Sequence, residues 1–320
     1  MTLSSIKALP GVNAPRVAAV LLLLASVASC ARGPAGQSGP LPPLGPVAVI
    51  TSVDQITLPI DSYEVTVEQT RTLFQASTAA TSRCVQGYGL SYPAPQWGNA
   101  FSDTPRELKK RSVVYGFFDP AAPRSTGYDA LGVGDSSAQP VISDAVHAVL
   151  NGMDRSKKPV TVYGGKPVPE HGCLGKGRAE VGDPPMPADS GQLPDGGPTV
   201  SATDPRLLAA DARWSDCMKT RGFSYASPWA AYFDPKWRSV PRGPGAVSVT
   251  HTPAEVATAT ADLACKLSTN LVGVAVAVET AYDEQYIASH AAALSAFKRS
   301  LDDRLGKAAH LIATGGADAG

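Results

Sequence analysis

The chain of 320 residues carries 28 basic and 28 acidic residues, so its formal net charge is zero. This balance does not suggest the concentrated basic face that a nucleic-acid partner requires, and no such partner is expected. Hydrophobic residues make up an ordinary 43% of the sequence, and the chain contains five cysteines.

The first thirty residues predict export and lipid attachment. Lys7 and Arg16 precede an unbroken run of apolar or small residues, 17–29, which is too short to span a bilayer and ends at Cys30. The sequence Val27-Ala28-Ser29-Cys30 resembles a bacterial lipobox, in which the thiol accepts a diacylglyceryl group. The alternative is an ordinary signal peptide that contains a cysteine. The lipobox predicts a protein anchored to the outer face of the cell membrane through membrane lipid on Cys30.

Cleavage after the predicted signal peptide, residues 1–29, removes two basic residues and no acidic one, which leaves 26 basic and 28 acidic residues. The lipidated Cys30 and the Pro- and Gly-rich stretch up to residue 46 predict a disordered spacer. The rest of the chain divides into a first helical half (47–181), a Pro- and Gly-rich linker (182–203), a second helical half (204–313) and a disordered tail (314–320).

A stretch of twelve residues occurs twice. In both copies, which start at Cys84 and Cys217, the cysteine, a glycine, an apolar residue, Ser-Tyr and a closing proline align without a gap. Each copy follows a helical pattern, and Gly89 and Gly222 stand where the end of a helix favours a left-handed residue. We interpret the match as an internal duplication.

The duplication predicts the disulfide pairing. With Cys30 assigned to lipid, four cysteines remain, for which three pairings exist. If each half closes its own bridge, Cys84 pairs with Cys173, and Cys217 pairs with Cys265. Each bridge would close a loop of several dozen residues and stabilise the fold by about 4 kcal/mol. The cysteines lack the spacing of a zinc site, so no metal is expected.

The second half contains the strongest helical pattern of the chain. Thr252-Pro253 begins a helix that carries Cys265, and from Leu271 onward apolar or ring-bearing residues recur every three or four positions up to Ile312. The pattern predicts one long amphipathic helix or two, with a break at Gly273 or within residues 268–270. The helix either packs along both halves, which we favour, or projects toward a partner.

The sequence contains no recognisable catalytic motif. It has no Gly-x-Ser-x-Gly, no phosphate-binding or dinucleotide-binding glycine loop and no His-Glu-x-x-His, and we expect no cofactor. Four aromatic residues are close together in the second half, and they either contact a ligand or form a satellite core under an irregular loop. These residues are Trp229, Tyr232, Phe233 and Trp237.

Three phrases of the chain resemble a family of uncharacterised actinobacterial lipoproteins and secreted proteins. They are Ile56-Thr-Leu-Pro-Ile-Asp-Ser-Tyr63, Trp214-Ser-Asp-Cys217-Met218 followed by Gly222-Phe223, and Ala259-Thr-Ala-Asp262-Leu-Ala-Cys265. The resemblance extends over residues 55–312. It implies an extracytoplasmic location and this architecture, and it adds no catalytic residues.

Together these patterns predict a mainly α fold of two duplicated helical halves, each stapled by a disulfide, with long irregular loops and a long C-terminal helix. The expected function is non-catalytic binding of a cell-envelope ligand or a membrane-protein partner. The alternative is a cell-wall-acting enzyme with unidentified catalytic residues. A cleft that holds convergent ionisable groups would favour the enzyme, and an aromatic-lined groove without them would favour binding.

Overall fold

The computed structural model describes residues 40–95, 97, 104–122, 125–128, 141–238 and 251–315. Cys30 and the rest of the predicted signal peptide lie outside the described residues. The predicted mainly α fold is confirmed. Its helices are α1 (Val67–Gln86), α2 (Thr104–Lys109), α3 (Asp144–Asn151), α4 (Gly172–Val181), α5 (Pro205–Thr220), α6 (Pro228–Tyr232), α7 (Pro235–Arg238), α8 (Pro253–Thr269) and α9 (Leu271–Gly315).

Strands are few and short in the described residues. Two antiparallel hairpins pair β1 (Arg111–Ser112) with β2 (Gly116–Phe117) and β3 (Val162–Tyr163) with β4 (Lys166–Pro167). Short 3-10 helices at Val53–Gln55 and Pro59–Ser62 precede α1.

Two disulfide-linked helix pairs form the framework, as predicted. Cys84 near the end of α1 is bonded to Cys173 in α4, with Cα atoms 5.5 Å apart, and Cys217 in α5 is bonded to Cys265 in α8, with Cα atoms 5.7 Å apart. Gly89 and Gly222, which follow α1 and α5, have φ angles of 73° and 87°. Gly222 directly follows the C-cap of α5, whereas α1 ends at Gln86 with a right-handed cap at Gly87, and Gly89 turns the chain two residues later.

The break in the C-terminal helical region lies at Asn270. This residue has φ 49°, a left-handed conformation that asparagine tolerates, and its side chain donates to the Ala48 carbonyl and accepts from Ile50 N–H. The axes of α8 and α9 differ by 66°. In the described residues no single helix meets the length and hydropathy criteria for a membrane span, although α8 and α9 meet them when taken together as a bent pair.

Helix α9 runs along both helix pairs. Its 45 residues correspond to about 68 Å of helix at 1.5 Å per residue, with a kink at His290, whose φ of −114° and ψ of 15° are not helical. Val272 and Ala275 near its beginning belong to the core around α5 and α8, and Leu301 and Ala308 near its end belong to the core around α1. The helix thus packs against the molecule itself over most of its length.

The cores draw on distant parts of the chain. Ile50, Tyr115 and Phe118 precede the predicted linker in sequence, but they pack with Trp214 of α5 and Cys265 of α8. Contact with the helices begins within the predicted spacer, because Pro42 is buried and its carbonyl accepts a hydrogen bond from Arg206. Leu193, in the predicted linker, is also buried.

A buried ion pair lies beside the second disulfide. Asp262 and Lys266, one turn apart on α8, are each 1% exposed, and their side chains are 2.7 Å apart. Trp214 Nε1 donates to the second Asp262 oxygen at 2.9 Å, and Lys266 Nζ donates to the Phe117 carbonyl at 2.6 Å. These bonds fasten the β1–β2 hairpin and α5 to α8.

Candidate functional site

A groove of about 830 Å³ lies between α5, the β1–β2 hairpin and the beginning of α6. Helix α5 contributes about half of the lining residues, and the turn of the hairpin, the segment 200–202 and the beginning of α6 with the residues before it contribute the rest. The lining residues are Val113, Val114, Val200, Ser201, Ala202, Leu207, Leu208, Asp211, Ala212, Ser215, Asp216, Lys219, Ala226, Ser227 and Trp229.

Local geometry determines how these elements meet. Gly116, with φ 71°, lies close against α6. A Cβ at this position would come within 3.0 Å of the Pro228 carbonyl oxygen, so the close approach of the hairpin to α6 depends on the missing side chain. Ser215 Oγ donates to the Tyr225 carbonyl at 2.7 Å and holds the loop before α6 on α5. The hydroxyl of Ser227 caps α6 by accepting from Ala230 N–H. The walls of the groove are therefore held to one another by packing and hydrogen bonds.

Large apolar side chains are exposed in and beside this groove. Val113 is 75% exposed at the hairpin turn, Leu208 is 52% exposed on α5, and Trp229 is 38% exposed on α6. Phe233, 44% exposed, lies against Trp229 with ring centroids 4.1 Å apart. Single exposed apolar residues are common, but a contiguous apolar patch marks an interaction site.

The four aromatic residues singled out in the sequence divide into two pairs. Trp229 and Phe233 are four positions apart, which places them on one outward face of α6. Tyr232 and Trp237 are 5% and 8% exposed, and both rings contact the buried ring of Tyr128. The ligand interpretation therefore stays open for Trp229 and Phe233, whereas Tyr232 and Trp237 are core residues.

Charge in the groove comes from three side chains of α5. Asp216 Oδ1 is 2.9 Å from Lys219 Nζ, an ion pair on the exposed rim. Within the described residues, the Asp211 carboxylate forms no hydrogen bond or ion pair. Burial raises the pKa of Asp211 to about 6, and the buried Lys266 counteracts this shift only in part. The groove thus offers one carboxylate without a partner in an apolar setting.

A second group of carboxylates lies outside the groove, on α9. Burial raises the pKa of Glu279 to about 8 and that of Asp283 to about 7. Glu279 accepts a hydrogen bond from Ser112 Oγ at 3.2 Å, and Asp283 accepts one from Ile60 N–H at 3.4 Å. Neither residue lines the groove. Asp283 is 3% exposed, so this carboxylate of the long helix faces the protein interior rather than the solvent.

Sequence reasoning missed three residues of the groove, namely Val113, Leu208 and Asp211. One signal was present for Leu208, because two adjacent leucines, Leu207 and Leu208, cannot both face the core from one helix. No local signal marks Val113 or Asp211, since their position depends on contacts across about a hundred residues. Among the described residues, no group of three or more His, Cys, Asp or Glu side chains is arranged to hold a metal ion.

Comparisons of the chain with protein-family models, with curated proteins and with solved structures find no match, so the groove and the buried network are interpreted from their own geometry.

Proposed function

We propose that this protein is a lipid-anchored, extracytoplasmic binding protein whose groove takes a cell-envelope ligand or a membrane-protein partner without catalysis. The observation that carries the proposal is the convergence of Val113, Leu208 and Trp229 on one groove. Apolar rims that remain exposed in a folded protein stabilise a complex by removing that surface from water.

The charges of the groove support binding rather than hydrolysis. An enzyme that cuts wall glycans uses two carboxyl groups on opposite sides of the scissile bond. Both acidic lining residues here, Asp211 and Asp216, lie on the same helix, and Asp216 is paired with Lys219. The groove therefore lacks a second free carboxylate opposite Asp211 among its lining residues.

The proposed location rests on the sequence and is compatible with the disulfides. Disulfide bonds form and persist outside the reducing cytosol. Two or three acyl chains on Cys30 would hold the protein at a membrane stably, since each buried methylene contributes about 0.8 kcal/mol.

Replacement of Cys30 tests the anchor. In the cells that produce the protein, Cys30→Ala should leave unprocessed precursor or release the protein from the membrane fraction, because no thiol remains to accept lipid. Fractionation, immunoblotting and intact-mass analysis measure both effects. Normal processing together with membrane retention would contradict lipid attachment at Cys30.

Site-specific photo-cross-linking tests the groove. A photo-reactive amino acid at Val113 should capture a partner or polymer in intact cells, and Trp229→Ala should reduce that capture at least several-fold, because it removes an exposed apolar ring. A matched control is available at Val162, which is 59% exposed on a hairpin of the other helix pair.

Capture of the same product from Val113 and from Val162 would contradict a specific role for the groove. Capture at Val113 that Trp229→Ala leaves unchanged would contradict it as well. Mass spectrometry of the cross-linked product separates a membrane protein from a wall polymer. A test of the folded state, by circular dichroism and thermal unfolding, accompanies each variant.

A further inference from the structure

The most unusual group in the groove is the Asp211 carboxylate. It lies on the same helical face as Leu208 and lines the groove together with the exposed Val113 of the hairpin and Trp229 of α6. The other ionisable lining residues, Asp216 and Lys219, neutralise each other at the rim. The lining side chains therefore sum to one uncompensated negative charge, and that charge lies among apolar groups.

We infer that the occupant of this groove is a segment of a partner protein that places a lysine or arginine side chain at Asp211, with apolar residues on either side against the exposed apolar lining. The inference rests on the proposed binding function and adds the chemistry of the partner. The expected occupant of the groove is a peptide segment with a basic side chain and apolar neighbours, rather than a glycan or a lipid.

Charge complementarity is the first reason for a basic side chain. A partly buried carboxylate without a partner is destabilised by its own desolvation, and a cation at hydrogen-bond distance restores the ionised form. Hydrogen bonds between charged partners are stronger than those between neutral ones. Neighbouring elements do not supply this cation to Asp211: the hairpin, the segment 200–202 and α6 contribute no titratable lining side chain, and Lys266 of α8 is already bonded to Asp262.

The shape of the groove is the second reason, because it favours a peptide over an isolated small molecule. Small-molecule pockets enclose most of the surface of their ligand. This groove is open to solvent, and its exposed apolar residues stand on three separate elements, namely the hairpin (Val113), α5 (Leu208) and α6 (Trp229). A chain segment can contact several of these elements at once, with one side chain directed at the Asp211 carboxylate.

A pH dependence follows from the position of Asp211. With a pKa of about 6, the carboxylate is ionised at pH 7.5 and mostly protonated at pH 5. Affinity for a cationic segment should therefore fall about tenfold between these two pH values. Affinity for a neutral apolar segment should change little over the same range.

The test uses two blocked pentapeptides and calorimetric titration of the full mature protein. One peptide has the sequence Ala-Leu-Lys-Leu-Ala, and the other carries norleucine in place of lysine, which removes only the ammonium group. The lysine peptide should bind at least tenfold more tightly at pH 7.5, and Asp211→Asn should remove that preference. Asp302→Asn, which removes an exposed carboxylate of α9 outside the groove, should leave it intact.

Each alternative result is informative. Equal binding of both peptides, with both weakened by Trp229→Ala, would overturn the basic side chain and leave the proposed groove function standing. Binding of a neutral N-acetylglucosamine tetrasaccharide, unaffected by Asp211→Asn, would assign the groove to a glycan and overturn the inference. Absence of peptide binding at millimolar concentration would overturn it as well, and the cross-linking at Val113 would then decide the proposed function separately.

Discussion

Replacement of Lys266 by methionine should lower the free energy of unfolding by about 3–5 kcal/mol. The change keeps most of the side-chain volume but leaves the buried Asp262 carboxyl without its cation, so the group must either stay charged without a partner or take up a proton. Burial raises the pKa of Asp262 and lowers that of Lys266, whereas their mutual attraction opposes both shifts. The Phe117 carbonyl also loses its donor. Urea unfolding at pH 7, followed by circular dichroism, measures the change.

The matched control for this experiment is Lys219→Met. Lys219 forms an ion pair of similar length with Asp216, but both side chains are largely exposed. Exposed pairs contribute at most about 1 kcal/mol, because water and salt screen them. A comparable loss in the two variants would contradict a special role of the buried network. The Asp262→Asn variant should resemble Lys266→Met, since it leaves the ammonium group buried without a counter-charge.

Removal of either disulfide should have an effect of the same size. Chain-entropy estimates give about 4 kcal/mol for the Cys217–Cys265 bridge, which joins residues 48 apart, and between 4 and 5 kcal/mol for the Cys84–Cys173 bridge, which joins residues 89 apart. Alanine is the suitable replacement, because Cys173 and Cys265 are fully buried and a serine hydroxyl would need a partner there.

Unfolding of the two double-alanine variants, compared with the oxidised wild type, measures these contributions. Reduction of the wild-type protein should reproduce the combined loss, and non-reducing peptide mapping should recover only the two predicted pairs. A loss below about 1 kcal/mol for either variant would contradict the chain-entropy estimate for that bridge. Peptides that link Cys84 or Cys173 to Cys217 or Cys265 would contradict the pairing.

Much of the fold was predictable because its signals are local. Thr252 caps α8, which begins where the sequence predicts, and Asp204 caps α5 in the same way. Each side chain accepts from a backbone N–H of the first turn, and a proline follows each cap. The repeat around Cys84 and Cys217 led to the correct disulfide pairs. Caps, glycine conformations and helical periodicity depend on a few neighbouring residues, so they are readable without a tertiary structure.

The candidate site was predictable only in part. The aromatic cluster in the sequence drew attention to α6, but it did not distinguish the exposed Trp229 and Phe233 from the buried Tyr232 and Trp237. That distinction depends on the β1–β2 hairpin and on Tyr128, which come from more than a hundred residues earlier in the chain. Packing against the hairpin and Tyr128, rather than any feature of α6 itself, determines which aromatic rings are buried.

The longer helices, two candidate positions for the break, one of which includes Asn270, and the pairing of four cysteines follow from short-range rules or from the repeat, whereas the short helices α2, α6 and α7 were not predicted. Which polar groups are buried and which apolar ones are exposed depends on the tertiary structure. Asp283 and Asp211 illustrate this, since segments far away in sequence cover the first and leave the second unpaired in a groove. Burial is a property of long-range packing, and a pattern along one helix does not contain it.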